Sequence, residues 1–485
     1  MKKLCLCSIV ALFILLIGEA KAAIQLADNF FLRGLFRHQM IYNMGQLNPN
    51  NLSVQDDKNH INLSRTWLIT ELEYKPTDIF KVYSKMRFIW DQTTHLDDEL
   101  YDYNAFPLST PHYGIHMRPG HDTDAVAEIW ELYTDLNMEK LWFRLGRQQI
   151  VWGEMVQARI MDIVNPLDYS WHFTFEPEEF ENIRIPLWAI RGTYTIEQSL
   201  LPWLEELYIE GFYNPGDIVP NRNPELGNPY KPSPPPPWVY QAPETEDRWG
   251  EDEFGGRLGY RIGQVAGTFN YAYLYADSAY QECAAIGRPS WSVKQSYPQI
   301  DVFGMTLNYA LNEPISTVVT FEGSYTPDYP WYDNSVFPGI AVKEADTWDL
   351  GIGLQRFTSI FPGEDFMNIQ LQYTVKIVED HDKLKWTPGP YDENNIVENL
   401  TRDTFAFVVS QDFSHKTYKA QCTILYQPDG AYKINPGFKY SPGDHWIFDI
   451  YASWWGGSAF QNANPACMNG LYYLDEIMGR ITYQF

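Results

Sequence analysis

A group of charged side chains that could act together lies between residues 144 and 168. Guanidinium and carboxylate groups alternate there with glutamine amides and tryptophans. Groups of this kind hold ions and polar solutes by charge and hydrogen bonds, and guanidinium groups pair well with carboxylates. We therefore predict a charged constriction lined by Arg144, Arg147, Glu154, Arg159, Asp162 and Asp168. The alternative is a folded lid whose charges pair among themselves and only brace the structure.

The sequence has no motif for covalent or metal-assisted catalysis. No G-x-S-x-G, H-E-x-x-H, Gly-rich phosphate loop or C-x-x-C occurs in a usable context. His112, His116 and His121 lie near Asp122 and Asp124, but loop histidines are more often solvated than metal-bound, so we predict no metal site. A covalently attached c-type haem would need C-x-x-C-H, which is missing. We expect neither an enzyme nor a cofactor.

Charge and N-terminal pattern narrow the class of protein. The formal net charge of −26 disfavours a nucleic-acid partner, because a phosphate backbone binds basic surfaces. Lys2 and Lys3, the apolar run over residues 4–17 and the sequence "AKA" before Ala23 predict a signal peptide over residues 1–22, with a membrane anchor as the alternative. No later segment has the roughly 18 apolar residues of a membrane helix.

The C-terminal half alternates apolar and polar residues with a period of two, which predicts β-strands. Three consecutive strands also carry aromatic residues eight positions apart. At about 3.3 Å per residue and a tilt of about 40°, eight steps rise roughly 20 Å, close to the apolar band between the aromatic girdles of an outer-membrane barrel. A soluble sandwich or β-helix gives no reason for that repeat. The aromatic pairs are Tyr418 and Tyr426, Tyr432 and Tyr440, and Trp446 and Trp454.

The same alternation, followed along the whole mature chain, gives eighteen candidate strands. Their connections alternate between long and short, as in a barrel whose two termini face the periplasm. We predict an all-β fold, a transmembrane antiparallel β-barrel of about 18 strands (16 to 20) with long extracellular loops and short periplasmic turns. The barrel would span residues 23–485, with residues 150–184 as a pore-constricting loop and residues 215–253 as a Pro-rich extracellular loop. The candidate strands lie near residues 31–42, 62–74, 78–90, 126–137, 140–149, 185–196, 204–214, 254–263, 265–276, 298–311, 315–326, 345–357, 366–379, 402–413, 416–427, 431–441, 444–455 and 472–485.

Charged residues alternate with the apolar ones, so they would face the lumen if the apolar face contacts lipid. This inward set is more basic than acidic, which favours a pore for anionic or polar solutes. The alternative is that opposite charges pair across neighbouring strands. Besides the six residues above, the predicted pore-lining residues are Lys85, Arg87, Arg257, Arg261, Lys419, Lys433, Lys439 and Arg480.

The three cysteines of the mature chain do not form a disulfide framework. Cys422 has the lipid-facing parity, whereas Cys283 and Cys467 fall in predicted outer loops. Whether these two pair is left open, because the sequence does not show how closely their backbones approach.

The chain ends with the regular strand "EIMGRITYQF". Pairing of this strand with the first, near "FLRGLFRHQM", would close the barrel and leave no strand edge in lipid. Ile481, Tyr483 and Phe485 would face outer-membrane lipid. They resemble the signal read by the outer-membrane barrel assembly machinery, although Gly479 lies one position from the usual glycine.

The segments "GRQQIVWGE", "DIVNPLDY" and "RIPLW" together resemble an uncharacterised family of large bacterial outer-membrane β-barrels. More distantly, the GRQ-x3-WGE pairing is similar to that of alginate-export type barrels. The resemblance covers about fifty residues in motif and most of the mature chain in architecture. It implies a porin-like barrel, in some cases encoded near export systems or multihaem cytochromes, and no catalytic residue.

These observations lead to two functional hypotheses. The first is a porin-like channel in the outer membrane of a Gram-negative bacterium, for passive passage of small polar or anionic solutes or of an exported polymer. The alternative is a scaffold barrel of a multi-component export or porin–cytochrome electron-transfer complex, with a periplasmic lipoprotein or a multihaem cytochrome as partner.

Overall fold

A computed structural model describes the chain as one closed barrel of eighteen strands. The strands are β1 (Phe30–Asn43), β2 (Ile61–Tyr74), β3 (Phe80–Asp91), β4 (Ala125–Met138), β5 (Leu141–Gln148), β6 (Leu187–Thr195), β7 (Glu206–Asn214), β8 (Glu253–Ile262), β9 (Val265–Tyr275), β10 (Gln299–Leu311), β11 (Thr317–Asp333), β12 (Ala341–Thr358), β13 (Met367–Val378), β14 (Thr401–Phe413), β15 (Tyr418–Tyr426), β16 (Ala431–Tyr440), β17 (Trp446–Gly457) and β18 (Glu476–Gln484). The residues that the structure describes are 24–44, 61–92, 115–116, 125–155, 159–169, 180–197, 203–222, 239–241, 251–276, 280–285, 291–312, 315–333, 341–379, 401–428, 430–457 and 475–485.

Every strand pairs antiparallel with its neighbour along the chain, and β18 closes the barrel by pairing with β1. Leu35 lies opposite Gln484 at one end of this closing ladder, and Asn43 lies opposite Glu476 at the other. The prediction of a closed antiparallel barrel of about 18 strands is confirmed. Separately, none of the helices among the described residues is long and apolar enough to cross a membrane.

The outward face carries the apolar side chains that the alternation predicts. Ile352, Leu371 and Ile450 are exposed on it. Aromatic rings gather towards the ends of the strands, where Tyr418 stacks on Tyr440 with ring centroids 5.1 Å apart. An exposed apolar band that ends in aromatic rings is the surface of a membrane-spanning barrel.

A β-bulge interrupts the alternation in β4. Lys85 of β3 lies opposite Glu131, and the next residue, Met86, lies opposite Ile129, so Trp130 has no partner residue on β3. Trp130 and Glu131 consequently both face the lumen. A bulge that redirects a side chain in this way is a common device near functional sites.

The backbone register at Arg147 differs from that at Arg144. The partners of Arg147 across the two neighbouring ladders are Leu132 and Trp188, which face outward, whereas Arg144, three residues earlier, lies opposite Asp135 in the lumen. Two residues three positions apart on a strand cannot share a face. Arg147 therefore has the outward register, but its side chain is buried, with Glu128, Asp217, Arg222 and Arg87 as its electrostatic neighbours.

Outside the barrel ladder, the structure contains a few short strands and one extended hairpin. The strand Ile24–Ala27 folds back on β1. Val239–Gln241, Tyr280–Ala285 and Trp291–Ser296 form a separate three-stranded sheet. β11 and β12 are longer than predicted. The predicted signal peptide lies outside the described residues, as do the positions of Cys467, His112 and His121.

Candidate functional site

The chain between β5 and β6 folds into the barrel and packs against its inner wall. We call residues 149–155, 159–169 and 180–186 the third loop; these are the parts of that connection that the structure describes. Loops normally run over the surface because buried backbone needs hydrogen-bond partners, so burial of this loop requires such partners. Its buried side chains include Ile150, Trp152, Met155, Ile160, Met161, Asp162, Val164, Asn165, Leu167, Asp168, Asn182, Arg184 and Ile185.

Asn165 and Arg184 hold the third loop together from within. The side-chain oxygen of Asn165 accepts a hydrogen bond from the Ile150 N–H at 2.7 Å, and its amide donates to the Ile185 carbonyl at 2.8 Å. The Arg184 guanidinium binds both carboxylate oxygens of Asp162, with a shortest distance of 2.6 Å. A bidentate pair of this kind fixes geometry as well as charge. These contacts therefore hold the part of the loop that follows β5 against the part that precedes β6.

One side of the loop docks on β3 and β4 through buried charges. The Arg87 guanidinium forms a very short ion pair with Glu128, contacts Asp168 at 3.1 Å, and lies with its Cζ 3.3 Å from the centre of the Trp130 ring. Arg222, from the connection after β7, also contacts Asp168 at 3.1 Å. Two cations and two carboxylates thus neutralise one another where the wall, the third loop and the connection after β7 meet.

The connection after β7 is tied to β6 through Asp217. Its carboxylate accepts the Trp188 N–H at 2.7 Å, and Asn214 contacts both the backbone N–H and the carbonyl of Asp217. Burial raises the pKa of the Asp217 carboxyl, although the Trp188 hydrogen bond and the charges of Arg147 and Arg222 act in the opposite direction.

The other side of the loop docks on β7 and β11 through carboxylates of the wall. The Trp152 indole N–H donates to Glu210 at 2.8 Å. The Glu322 carboxylate accepts the backbone N–H groups of Glu154, Met155 and Met161, the latter two at 2.8 and 3.3 Å. One carboxylate thereby satisfies three loop donors that would otherwise be buried without partners.

Two glycines of the wall make room for loop side chains. A Cβ atom on Gly351 of β12 would lie 2.4 Å from the Ile160 Cδ1 atom and 2.6 Å from the Met155 sulfur. On Gly304 of β10 it would lie 2.1 Å from the Met161 sulfur. Only a residue without a side chain permits this close approach.

A row of polar residues crosses the other half of the wall from strand to strand. Lys439 of β16 lies opposite Lys419 on one side and Asp449 on the other. Asp449 in turn lies opposite Arg480 of β18, and the two side chains form an ion pair at 2.9 Å. From β14 to β3, the complete row is Asp412, Lys419, Lys439, Asp449, Arg480, Gln39, Arg65 and Asp91.

The structure divides the predicted pore-lining residues into groups. One group belongs to the third loop or to the wall that it contacts: Lys85, Arg87, Glu154, Arg159, Asp162, Asp168 and Arg257. Lys419, Lys439 and Arg480 lie in the polar row.

The remaining predicted cations stand apart from both groups. Arg144 pairs with Asp135 at 2.7 Å. Lys433 has its Nζ atom 4.7 Å from the Trp455 ring centre near the outer end. Arg261 lies 3.4 Å from a carboxylate, that of Glu206, near the inner end.

The terminal residues occupy the outward positions predicted for them. Ile481 is exposed, whereas Tyr483 and Phe485 are covered by neighbours although they share its parity. The Phe485 backbone exchanges two hydrogen bonds of 2.9 Å with Gly34, and its ring lies where a Cβ atom of Gly34 would be. Their role in assembly stays a prediction.

Sequence reasoning missed several residues that organise the site. Glu128 and Trp130 were hidden because the bulge breaks the alternation. Glu322 lies on a predicted strand, but no pattern indicated that it binds the loop backbone. Asn165 and Arg184 do lie in the segments "DIVNPLDY" and "RIPLW", so those motifs were the available signal.

Comparison with solved structures shows a shared fold at low sequence identity. The chain is similar to OccAB1 of Acinetobacter baumannii, with a TM-score of 0.50 and 12% identity over 96% of this chain and 99% of that one. OccAB3 of the same organism matches with a TM-score of 0.49 and 10% identity over 95% and 100%. OmpF of Salmonella typhi, solved in complex with daunomycin, matches with a TM-score of 0.40 and 11% identity over 96% and 100%.

Sequence-family comparison is more direct. None of the curated proteins matches the chain, but one family model matches residues 43–485. Since that match runs over most of the sequence, the chain belongs to the family described as protein of unknown function (DUF1302).

Proposed function

We propose that the protein is a porin-like channel in the outer membrane of a Gram-negative bacterium, through which small polar solutes diffuse with a preference for anions. The observation that carries this proposal is the third loop, which lies inside the lumen and is held against the wall from β3 to β12. A loop in that position narrows the passage to the space between itself and the remaining strands. The protein performs no chemistry on the solutes.

The charge of the remaining strands supports the preference for anions. From β13 through β18 to β1, the inward-facing side chains that the structure describes include seven cations and three carboxylates. Rings and rows of charge set the selectivity of pores. The cations are Lys376, Lys419, Lys433, Lys439, Arg480, Arg33 and Arg37, and the carboxylates are Asp412, Asp449 and Glu476.

Planar-bilayer recording of the purified barrel tests the channel. Wild-type protein is expected to give stable single-channel currents. Substitution Glu322→Ala removes the acceptor of three loop N–H groups, so the loop should leave the wall intermittently and add brief closures to the current. Asp349→Ala is the matched control, because Asp349 is a wall carboxylate on the next strand that pairs with Lys376 at 2.9 Å.

Two outcomes would count against the proposal. If wild-type protein gives no current and instead copurifies with a periplasmic lipoprotein or cytochrome, the scaffold alternative replaces the channel. If Glu322→Ala and Asp349→Ala give the same current trace as wild type, the third loop does not border the conduction path. Deletion of residues 155–180 is a poorer test, because it also removes the buried partners of Arg87, Arg184 and Arg222.

A further inference from the structure

Glu154 differs from the other charged residues of the third loop. Its side chain is exposed to the lumen, and no cation among the described residues forms an ion pair with its carboxylate. Each of the other charged residues in the described part of the loop has an oppositely charged partner, so their charges are compensated within the protein. These pairs are Arg159 with Asp162, Arg184 with Asp162, Asp168 with Arg87 and Arg222, and Glu181 with Lys85.

The Glu154 carboxylate is exposed, yet the wall holds it in one orientation. It accepts a hydrogen bond from the side-chain amide of Asn308 on β10. The side-chain oxygen of Asn308 accepts the Thr320 hydroxyl of β11 at 2.7 Å, and the Glu154 backbone N–H is bound by Glu322. A charged group that is already oriented loses less conformational entropy when it binds a solute.

The Glu154 carboxylate lies at the end of the lumen where cations line the uncovered wall. Asn308, which holds it, is close to the inner end of β10. Lys419 and Lys439 are close to the inner ends of β15 and β16, where they are paired across the ladder and face the lumen. A fixed negative charge on the loop and positive charges on the wall therefore border the same part of the passage, and such lining charges set the selectivity of pores.

We propose that Glu154 selects solutes that carry an ammonium group together with a carboxylate, and that Asn308 is its positioning residue. The Glu154 carboxylate attracts the ammonium group, while Lys419 and Lys439 attract the carboxylate of the solute. An uncharged solute of the same size gains from neither contact. This inference rests on the proposed channel function and narrows its small polar solutes to zwitterions.

Liposome swelling tests the class of solute. Proteoliposomes are diluted into γ-aminobutyrate, which is a zwitterion, or into γ-hydroxybutyramide, which has the same heavy-atom skeleton but no charged group. Wild-type protein should admit the zwitterion up to about fivefold faster, because a single charge in a solvated passage has a modest effect. Glu154→Gln should abolish this difference. Glu206→Gln is the matched control and should preserve it, since Glu206 is also an exposed lumen carboxylate near the inner end but lies 3.4 Å from Arg261.

The results separate this inference from the channel itself. If neither solute enters wild-type proteoliposomes and planar bilayers carry no current, the channel is refuted and zwitterion selection with it. If a conducting wild-type barrel admits both solutes at equal rates, or if Glu154→Gln keeps the difference, the channel stands and zwitterion selection is wrong.

Asn308→Ala tests the positioning role. The substitution releases the Glu154 carboxylate but removes no charge, so the ratio of the two swelling rates should fall while the reversal potential across a KCl gradient stays that of wild type. Glu154→Gln should change both. Gln355→Ala is the control, because it removes a lumen amide of β12 that donates to Asn368 at 3.1 Å, and it should change neither. Heat-modifiable gel migration verifies that each variant is folded. An unchanged ratio in Asn308→Ala would overturn the positioning role.

Discussion

Arg87 and Lys439 both point from a strand into the lumen, yet their surroundings differ. Arg87 is buried between Glu128, Asp168 and the Trp130 ring. Lys439 is half-buried and lies opposite a second cation, Lys419. The first side chain belongs to the half of the wall that the third loop covers, and the second belongs to the half that faces it.

The difference follows from solvent access. In the covered half, charges are shielded from water, so each one depends on its partner and leaves the other unpaired if it is removed. In the facing half, Lys376 is exposed and Lys439 is half-buried, so water screens their charges, and an exposed ion pair contributes little to stability. Charges of the covered half therefore brace the loop, whereas the water-accessible charges of the facing half, such as Lys439, remain able to act on solutes.

Asp168→Ala should give the largest effect. The substitution removes one of the two buried carboxylates that neutralise Arg87 and Arg222, and breaking a buried pair costs about 3–5 kcal/mol. The free energy of unfolding, measured with urea on the refolded barrel, should fall by that amount. Lys376→Ala is the comparison in the facing half, because the Lys376 side chain is 42% exposed and its removal should cost less than about 1 kcal/mol. Equal losses would remove the distinction between the two halves.

Gly351→Ala should give an intermediate effect. The added methyl group would meet Ile160 and Met155 of the third loop, and overpacking of this kind costs about 1–3 kcal/mol. The loop should loosen, so trypsin should cleave after Arg159 faster than in wild type. Gly479→Ala is the control, because nothing lies within 4 Å of a Cβ atom there. Unchanged cleavage in Gly351→Ala would mean that the loop does not depend on this close contact.

The same contrast explains what could be predicted from the sequence. Alternation and aromatic spacing predict the barrel because each strand presents one face to lipid, and that requirement repeats along the whole chain. It also predicts the inward parity of Lys419, Lys439 and Arg480. It fails at Trp130, where a bulge breaks the alternation and turns the ring into the lumen. Contacts such as that of Glu322 with the loop join residues far apart in sequence and have no local pattern.

Lys439→Gln should give the smallest change, and it appears in selectivity instead of stability. Loss of one cation from a solvated wall changes the energy of a passing ion by about 1 kcal/mol or less, so the anion-to-cation permeability ratio should fall by at most about fivefold. The reversal potential across a KCl gradient measures this ratio. Arg257→Gln is the comparison in the covered half, since Glu210 lies 3.1 Å from the Arg257 guanidinium and neutralises it. If the reversal potential shifts as much in Arg257→Gln as in Lys439→Gln, permeating ions interact equally with the charges of both halves of the wall.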